Sequence, residues 1–231
     1  SRGLGDVYKR QGQYANTDKA STDPCAVDAN DPNLAYKFGT MANETVIAQT
    51  FNKDLANEYG KICGNYSLWS NLTIFWGCGT NLHRTPYNAR NHEYYSEDAV
   101  LTSGQAVAFI SGGKEYGVII APKHLAFNDT EINRTGVSVF MTEQQARENE
   151  LRGTQASIED AGALGIMTAF NRVGITAANA HTGLLKNILR GEWGFKGLES
   201  QDFIMNPNYA VLKEYALNGG TMTTFTGENT M

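Results

Sequence analysis

Residues 116–129 read YGVIIAPKHLAFND. An apolar run ends in the neighbouring pair Lys123 and His124, and a polar segment with Asn128 and Asp129 follows. The run is continuously apolar rather than alternating, which marks a strand covered on both faces. A cation and an imidazole side by side at the end of a buried strand are costly to desolvate unless something there uses them.

Working outward, the same strand-then-helix rhythm repeats. Residues 142–162, TEQQARENELRGTQASIEDAG, open with a capping box of Thr142 and Gln145 and predict a helix. LGIMTAF at 164–170 predicts a second strand, and TGLLKNILRGEWG at 182–194 a second helix ending near Gly191. GLESQDF at 197–203 stands where a third strand is due, NYAVLKEYALNGG at 208–220 predicts a helix with a glycine stop, and TMTTF at 221–225 a fourth strand. Alternation of this kind predicts an α/β fold with parallel strands. Upstream, residues 44–69 carry apolar residues at helical spacing, and residues 97–113 form another amphipathic helix. No glycine-rich phosphate loop follows any strand, which disfavours dinucleotide- and P-loop domains. The expectation is a (β/α)8 TIM-type barrel, irregular or incomplete toward the N-terminus, in which polar residues at the C-terminal strand ends are the candidates for chemistry.

The bulk properties narrow the partners. The 231-residue chain has a net charge of −5 and ordinary globular composition. It has no basic stripe, so nucleic acid is not an expected partner. No apolar run approaches the roughly 18 residues a membrane span needs. Cys25, Cys63 and Cys78 are odd in number and widely spaced, and are expected to be small buried or half-buried thiols. His83, His92 and His181 lack metal-ligand spacing and read as structural. Five Asn-X-Ser/Thr triplets, at Asn43, Asn65, Asn71, Asn128 and Asn133, are taken as chance in an Asn-rich chain. Residues 1–20 show neither helical nor strand periodicity and no signal-peptide core, and are set apart from a domain spanning 21–231. The compartment stays open.

Three strand ends line up: Lys123 and His124, then Phe170 and Asn171, then Asp202. A cation, an imidazole, an aromatic face and a carboxylate at one mouth suit a sugar, whose hydroxyls need donors and whose oxocarbenium-like centre needs a carboxylate. Each residue has a plainer reading. A lone strand-end aspartate is commonly a cap, a lone lysine is commonly solvated, and Lys123 on a barrel strand also suits a Schiff base. Arg84 and Arg90 would equally brace Glu93, Glu97 or Asp98.

The stretches NLHRTPYNARNHEYYSED (81–98), PKHLAFNDTEINR (122–134), GALGIMTAFNRVG (162–174) and NILRGEWGFKGLESQDF (187–203) resemble, in order, the N-terminal barrel of glycoside hydrolase family 3, the β-glucosidase family. The resemblance covers roughly residues 40–225. It implies a retaining, exo-acting β-glycosidase, most often a β-glucosidase, acting on β-linked glucosides without cofactor or metal. It places Asp202 as the catalytic nucleophile and Lys123 with His124 on the hydroxyls of the non-reducing sugar. Arg90 and Arg84 match arginines beside that pair, and Phe170 an aromatic that flanks the bound ring with Met167 near it. Asp23 stands nearest to an early sugar-gripping aspartate. The acid/base is implied to come from a downstream α/β domain of the same parent chain. The sequence departs from the pattern at Glu199, Ser200 and Gln201, where apolar residues are expected, and at Ala89, where glycine is usual. These departures predict a shifted strand, a partner for Glu199, or a damaged copy that binds sugar without turnover. The Schiff-base aldolase-like barrel on Lys123 remains a further alternative.

Overall fold

The computed structural model describes residues 25–26, 35–36, 41–69, 72–134, 136–202 and 212–223. Strand β1 (Cys25–Ala26) pairs antiparallel with β2 (Ala35–Tyr36). Helices α1 (Glu44–Ala48) and α2 (Lys53–Trp69) follow, then β3 (Ile74–Gly79), α3 (Ala99–Lys114) and β4 (Ile119–Leu125). After β5 (Ser138–Val139), α4 (Glu143–Gln145) runs through a π-helical turn at Ala146–Glu150 into α5 (Arg152–Glu159). Strands β6 (Gly165–Thr168), β7 (Arg172–Val173) and β8 (Thr176–Ala177) precede a π-helix at Gly183–Glu192, then β9 (Leu198–Gln201) and α6 (Leu212–Leu217).

The main sheet has the order β3-β4-β6-β9, with every pair parallel and a helix between successive strands. This is the β/α barrel architecture expected from the sequence, present among the described residues as an open arc. A bridge from Ser200 to Met222 extends the arc beyond β9, where the fourth strand was expected. Strand β3 is an addition. IFWGCG does not read as a strand, because glycines at positions 77 and 79 look like turn residues, yet all six of its residues are buried.

The helix starts follow local chemistry. Asn43 accepts from Val46 N–H at α1, Asp98 from Leu101 N–H at α3, and Thr142 from Gln145 N–H, as the capping box predicts. The helix expected at 182–194 is a π-helix instead. The arc separates two layers of side chains. Phe75 and Ile120 pack outward against Tyr59, Phe109 and Ile110 of α2 and α3, and Ile166 packs outward against Leu185, Leu189 and Tyr215. Ile74, Trp76, Ala121 and Met167 form an inner cluster on the other face. Helices α2 and α3 cross closely because both carry glycines at the contact. A Cβ on Gly60 would lie 2.0 Å from the Phe109 carbonyl oxygen, and one on Gly112 would lie 2.1 Å from that of Asn57. Cys63 and Cys78 are free and buried in the same layer, as small apolar residues would be. Among the described residues no helix is long and apolar enough to cross a membrane.

Candidate active site

The last residues of β4 organise the site. The strand is irregular between Lys123 and Leu125 against β6, and its partner β3 is irregular between Trp76 and Gly79. Such bulges re-aim side chains at barrel rims. Lys123 and His124 both lie within β4 rather than just past it, and both are buried. Their backbone is pinned from β3's extension: Thr80 N–H donates to Lys123 O at 2.6 Å, Asn81 Nδ2 to His124 O at 3.1 Å, and His124 N–H to Asn81 Oδ1 at 2.9 Å.

Around these two side chains a charged network closes. Lys123 Nζ is 2.9 Å from Glu93 Oε2, and Arg90 Nε is paired with Glu93 Oε1. Burial would push the Glu93 carboxyl up, but Lys123 and Arg90 override it and hold the group well below the usual range. Arg90 also reaches His124, with Nη2 3.0 Å from Nε2, and Glu131, with Nη1 3.5 Å from Oε1. A guanidinium only donates, so His124 Nε2 accepts and Nδ1 carries the hydrogen, facing Tyr94 Oη at 3.1 Å and Asn81 Oδ1 at 3.3 Å. Burial first, then the nearby Arg90 and Lys123 charges, hold the His124 pKa well below its ordinary value, so the ring is neutral.

Asp202 follows directly on β9 and is buried. Its backbone N–H donates to Thr168 O at 3.1 Å, so the strand is in register with β6. Its Oδ2 lies 3.3 Å from His124 Nε2. This is not an ion pair, because the ring is neutral and the facing nitrogen is an acceptor. Two acceptors converging beside two cations leave a place for hydroxyls, which donate and accept at once.

The other expected site residues are placed unevenly. Phe170 is buried, with the Arg134 guanidinium 4.2 Å from its ring centroid, so a cation already lies over that ring. Met167 is fully buried in the inner cluster with Ile74, Trp76 and Ala121. Arg84 pairs with Glu150 rather than with Glu93, Glu97 or Asp98. Asp23 lies outside the described residues. Of the histidines, His83 Nε2 is 2.9 Å from Asn91 O and 3.0 Å from Tyr94 O, and His181 Nδ1 accepts from Leu184 N–H at 3.1 Å. Both serve backbone. The described residues include no cluster of His, Cys, Asp or Glu suited to a metal ion.

Sequence reading left Glu93 as a brace and missed Tyr94, Asn81 and Glu131 altogether. The signal for Glu93 was its spacing. Arg90 and Glu93 sit three apart and meet through a 3-10 turn, Asn91–Glu93. The Tyr94 contact is tertiary, and nothing in its neighbourhood announces it.

Residues 33–216 match the model of the glycosyl hydrolase family 3 N-terminal domain. The chain is 36% identical over 159 residues to beta-glucosidase BoGH3A of Bacteroides ovatus, covering 69% of this chain and 21% of that protein. It is 35% identical over 159 residues to a probable beta-glucosidase J of Emericella nidulans, covering 69% of this chain and 19% of that protein. Among solved structures, beta-glucosidase 3B of Thermotoga neapolitana in complex with glucose aligns with a TM-score of 0.78 at 32% identity, over 86% of this chain and 27% of that one. The chain thus spans about a fifth of the length of these curated relatives.

Proposed function

Because the chain belongs to glycosyl hydrolase family 3, we propose that it is the sugar-binding barrel of a retaining β-glycosidase, with a β-linked glucoside as substrate. The observation that carries this reading is the convergence of Lys123 and His124 at the end of β4, Asp202 at the end of β9 in the same parallel sheet, and Arg90 from the segment that follows β3. Lys123 and Arg90 offer donors to ring hydroxyls, and the neutral His124, whose Nε2 accepts from Arg90, fixes that guanidinium beside them. An Asp202 oxygen attacks the anomeric carbon as the glycosidic bond breaks, leaving a glycosyl ester. Water then attacks the same carbon, the ester bond breaks, and the carboxylate is regenerated. A retaining pair also needs an acid/base carboxyl about 5–5.5 Å from the nucleophile. We assign that role to a group supplied by an α/β domain of the longer parent chain, on the family resemblance and on the greater length of the relatives.

The Schiff-base alternative has less support, because Glu93 sits on the Lys123 ammonium that a carbonyl carbon would have to reach. Sugar binding without turnover is separated from catalysis by a trapping experiment. Incubation with a 2-deoxy-2-fluoro-β-glucoside bearing a good leaving group should add one sugar to the chain, and peptide mapping should place it on Asp202. A label on Glu199, or no label while glucose still binds, defeats the assignment of the nucleophile. Cellobiose, whose leaving group needs protonation, should turn over near background with the 231-residue chain, since lost general acid catalysis costs about 10²–10⁴-fold.

Lys123→Ala and His124→Ala should each weaken glucose binding by about 1–3 kcal/mol, the scale for leaving a buried polar partner unmet. Calorimetric titration with glucose or gluconolactone reads this directly. Unchanged affinity in either variant would move the sugar elsewhere.

A further inference from the structure

Three of the contacts that hold Lys123 and His124 come from one short segment, residues 90–94. Arg90 reaches His124, Glu93 takes Lys123, and Tyr94 Oη lies 3.1 Å from His124 Nδ1. The segment is built on a single 3-10 turn, Asn91–Glu93, in which Glu93 N–H donates to Arg90 O and Tyr94 N–H to Asn91 O, both at 3.1 Å. One turn of this kind has poor hydrogen-bond geometry and does not fix itself. Its position has to come from outside.

Two donors from elsewhere in the chain supply it. Thr45 Oγ1, in the first turn of α1, lies 2.7 Å from Asn91 O and 2.9 Å from Tyr94 O. His83 Nε2 lies 2.9 and 3.0 Å from the same two oxygens. Carbonyl oxygens only accept, so the Thr45 hydroxyl donates its one hydrogen, and His83 Nε2 must carry one as well. Two hydrogens then serve two carbonyls, one at each end of the turn. A threonine at a helix start ordinarily caps its own helix. Here Asn43 does that by accepting from Val46 N–H, which leaves the Thr45 hydroxyl to reach across. The helix that carries it is itself tied to the strand beside Lys123. Glu44 Oε2 accepts from Gly79 N–H at 2.8 Å, and Gly79 is the register partner of Lys123. Gly79 also packs directly on the turn, where a Cβ would lie 1.9 Å from Glu93 O.

We propose that Thr45 and His83 are positioning residues of the sugar site. Together they fix the turn at Asn91 O and Tyr94 O, and so hold Glu93 on Lys123 and both Arg90 and Tyr94 on His124. The effect on sugar rests on the binding role given above.

The test has two arms. In the first, the glucose affinity of the 231-residue chain is measured by calorimetry alongside its urea midpoint. Thr45→Val keeps the branched shape and removes the hydroxyl. One hydrogen bond biases a turn between two positions by up to about tenfold, so affinity should fall about three- to tenfold. Thr45→Ser keeps the hydroxyl and should keep the affinity. Thr50→Val is the control. It removes a hydroxyl bonded to Ile47 O at 2.7 Å, just past the same helix and away from the turn, and should leave affinity unchanged. Unchanged affinity in Thr45→Val, or an equal fall in Thr45→Ser or Thr50→Val, overturns the positioning role.

The second arm needs no sugar. Nitrogen NMR of the imidazole rings, with only four histidines to assign, should show hydrogen on Nε2 of His83 and on Nδ1 of His124 in the parent. The His124 signals should move in Thr45→Val and stay in place in Thr50→Val. Hydrogen on Nδ1 alone of His83, or a His124 ring indifferent to Thr45→Val, overturns the clamp, and the His83 result needs no variant to fold. If glucose binds neither parent nor variants, the sugar reading falls, while the nitrogen signals still decide whether Thr45 and His83 hold the turn.

Discussion

Glu93→Ala should cost the fold about 3–5 kcal/mol, the scale for breaking a buried ion pair by removing one partner. Glu93 is the hinge of the network, accepting from Lys123 through one oxygen and from Arg90 through the other. Its side chain is 10% exposed and that of Lys123 is 5%, so the truncation strands a buried ammonium. Arg90 keeps Glu131 and the His124 ring, and suffers less. Urea unfolding at neutral pH reads the loss as a drop in midpoint at constant slope. Glucose binding should fail with it, because Lys123 no longer has a fixed position. The Arg147–Glu192 pair is the control. It has two good contacts, at 2.6 and 3.0 Å, but lies in solvent, so Glu192→Ala should leave the midpoint nearly in place. Equal effects from the two substitutions would mean that burial is not what makes Glu93 matter.

The contrast explains which parts of the molecule the sequence announced. Helix caps are local, so Thr142 and Gln145 marked their helix correctly from residues three apart. Strand β4 was legible because a doubly covered strand is continuously apolar. Strand β3 was not, since its glycines and Cys78 carry little apolar volume and its burial comes from α2, α3 and Tyr94 packing over it. For the same reason Lys123, His124 and Asp202 were readable as strand-end polar residues, whereas their supports were not. Asn81, Tyr94 and Glu131 sit 43, 30 and tens of residues from what they hold, and their roles arise only once the chain has folded. Arg84 shows the limit of motif reading: it stands in the right stretch of sequence, but its guanidinium is taken by Glu150.

Glu199 is where the family pattern and the fold disagree, and it yields the second large effect. The strand is not shifted, because Glu199 pairs in register with Ile166 and Asp202 follows in place. Instead the side chain enters the outer layer, with both carboxyl oxygens lacking a hydrogen-bond partner among the described residues. Its neighbours have spent their donors elsewhere. Tyr215 Oη donates to the carbonyls of Glu199 and Met222 at 2.8 and 2.6 Å, Thr168 Oγ1 to Ser200 O at 3.3 Å, and Arg190 to the carbonyls of Phe195, Gly197 and Gly219. Burial therefore wins over the pull of Tyr215, Thr168 and Arg190, and pushes the carboxyl up to about 8.

The sign of the consequence follows from proton counting. Between the unfolded value near 4.3 and the folded value of about 8, the folded chain holds a proton that the unfolded chain has released, so this group lowers stability as pH rises through that window. At pH 7 the loss amounts to roughly 3–4 kcal/mol, at about 1.36 kcal/mol per unit. Glu199→Val removes the titrating group and keeps an apolar side chain in the outer layer, so it should be more stable than the parent by roughly that amount at pH 7. The advantage should shrink toward pH 4.5, where the unfolded chain begins to hold the proton as well. The quantity to follow is the difference between variant and parent in urea midpoints from pH 4.5 to 8.5. Other groups also titrate here, and the neutral, buried His124 bends the parent curve the opposite way below about pH 6.5. The subtraction cancels both. A difference that stays constant across the range would mean that Glu199 has a partner able to hold it charged, and the strand would then carry a structural carboxylate rather than a buried acid.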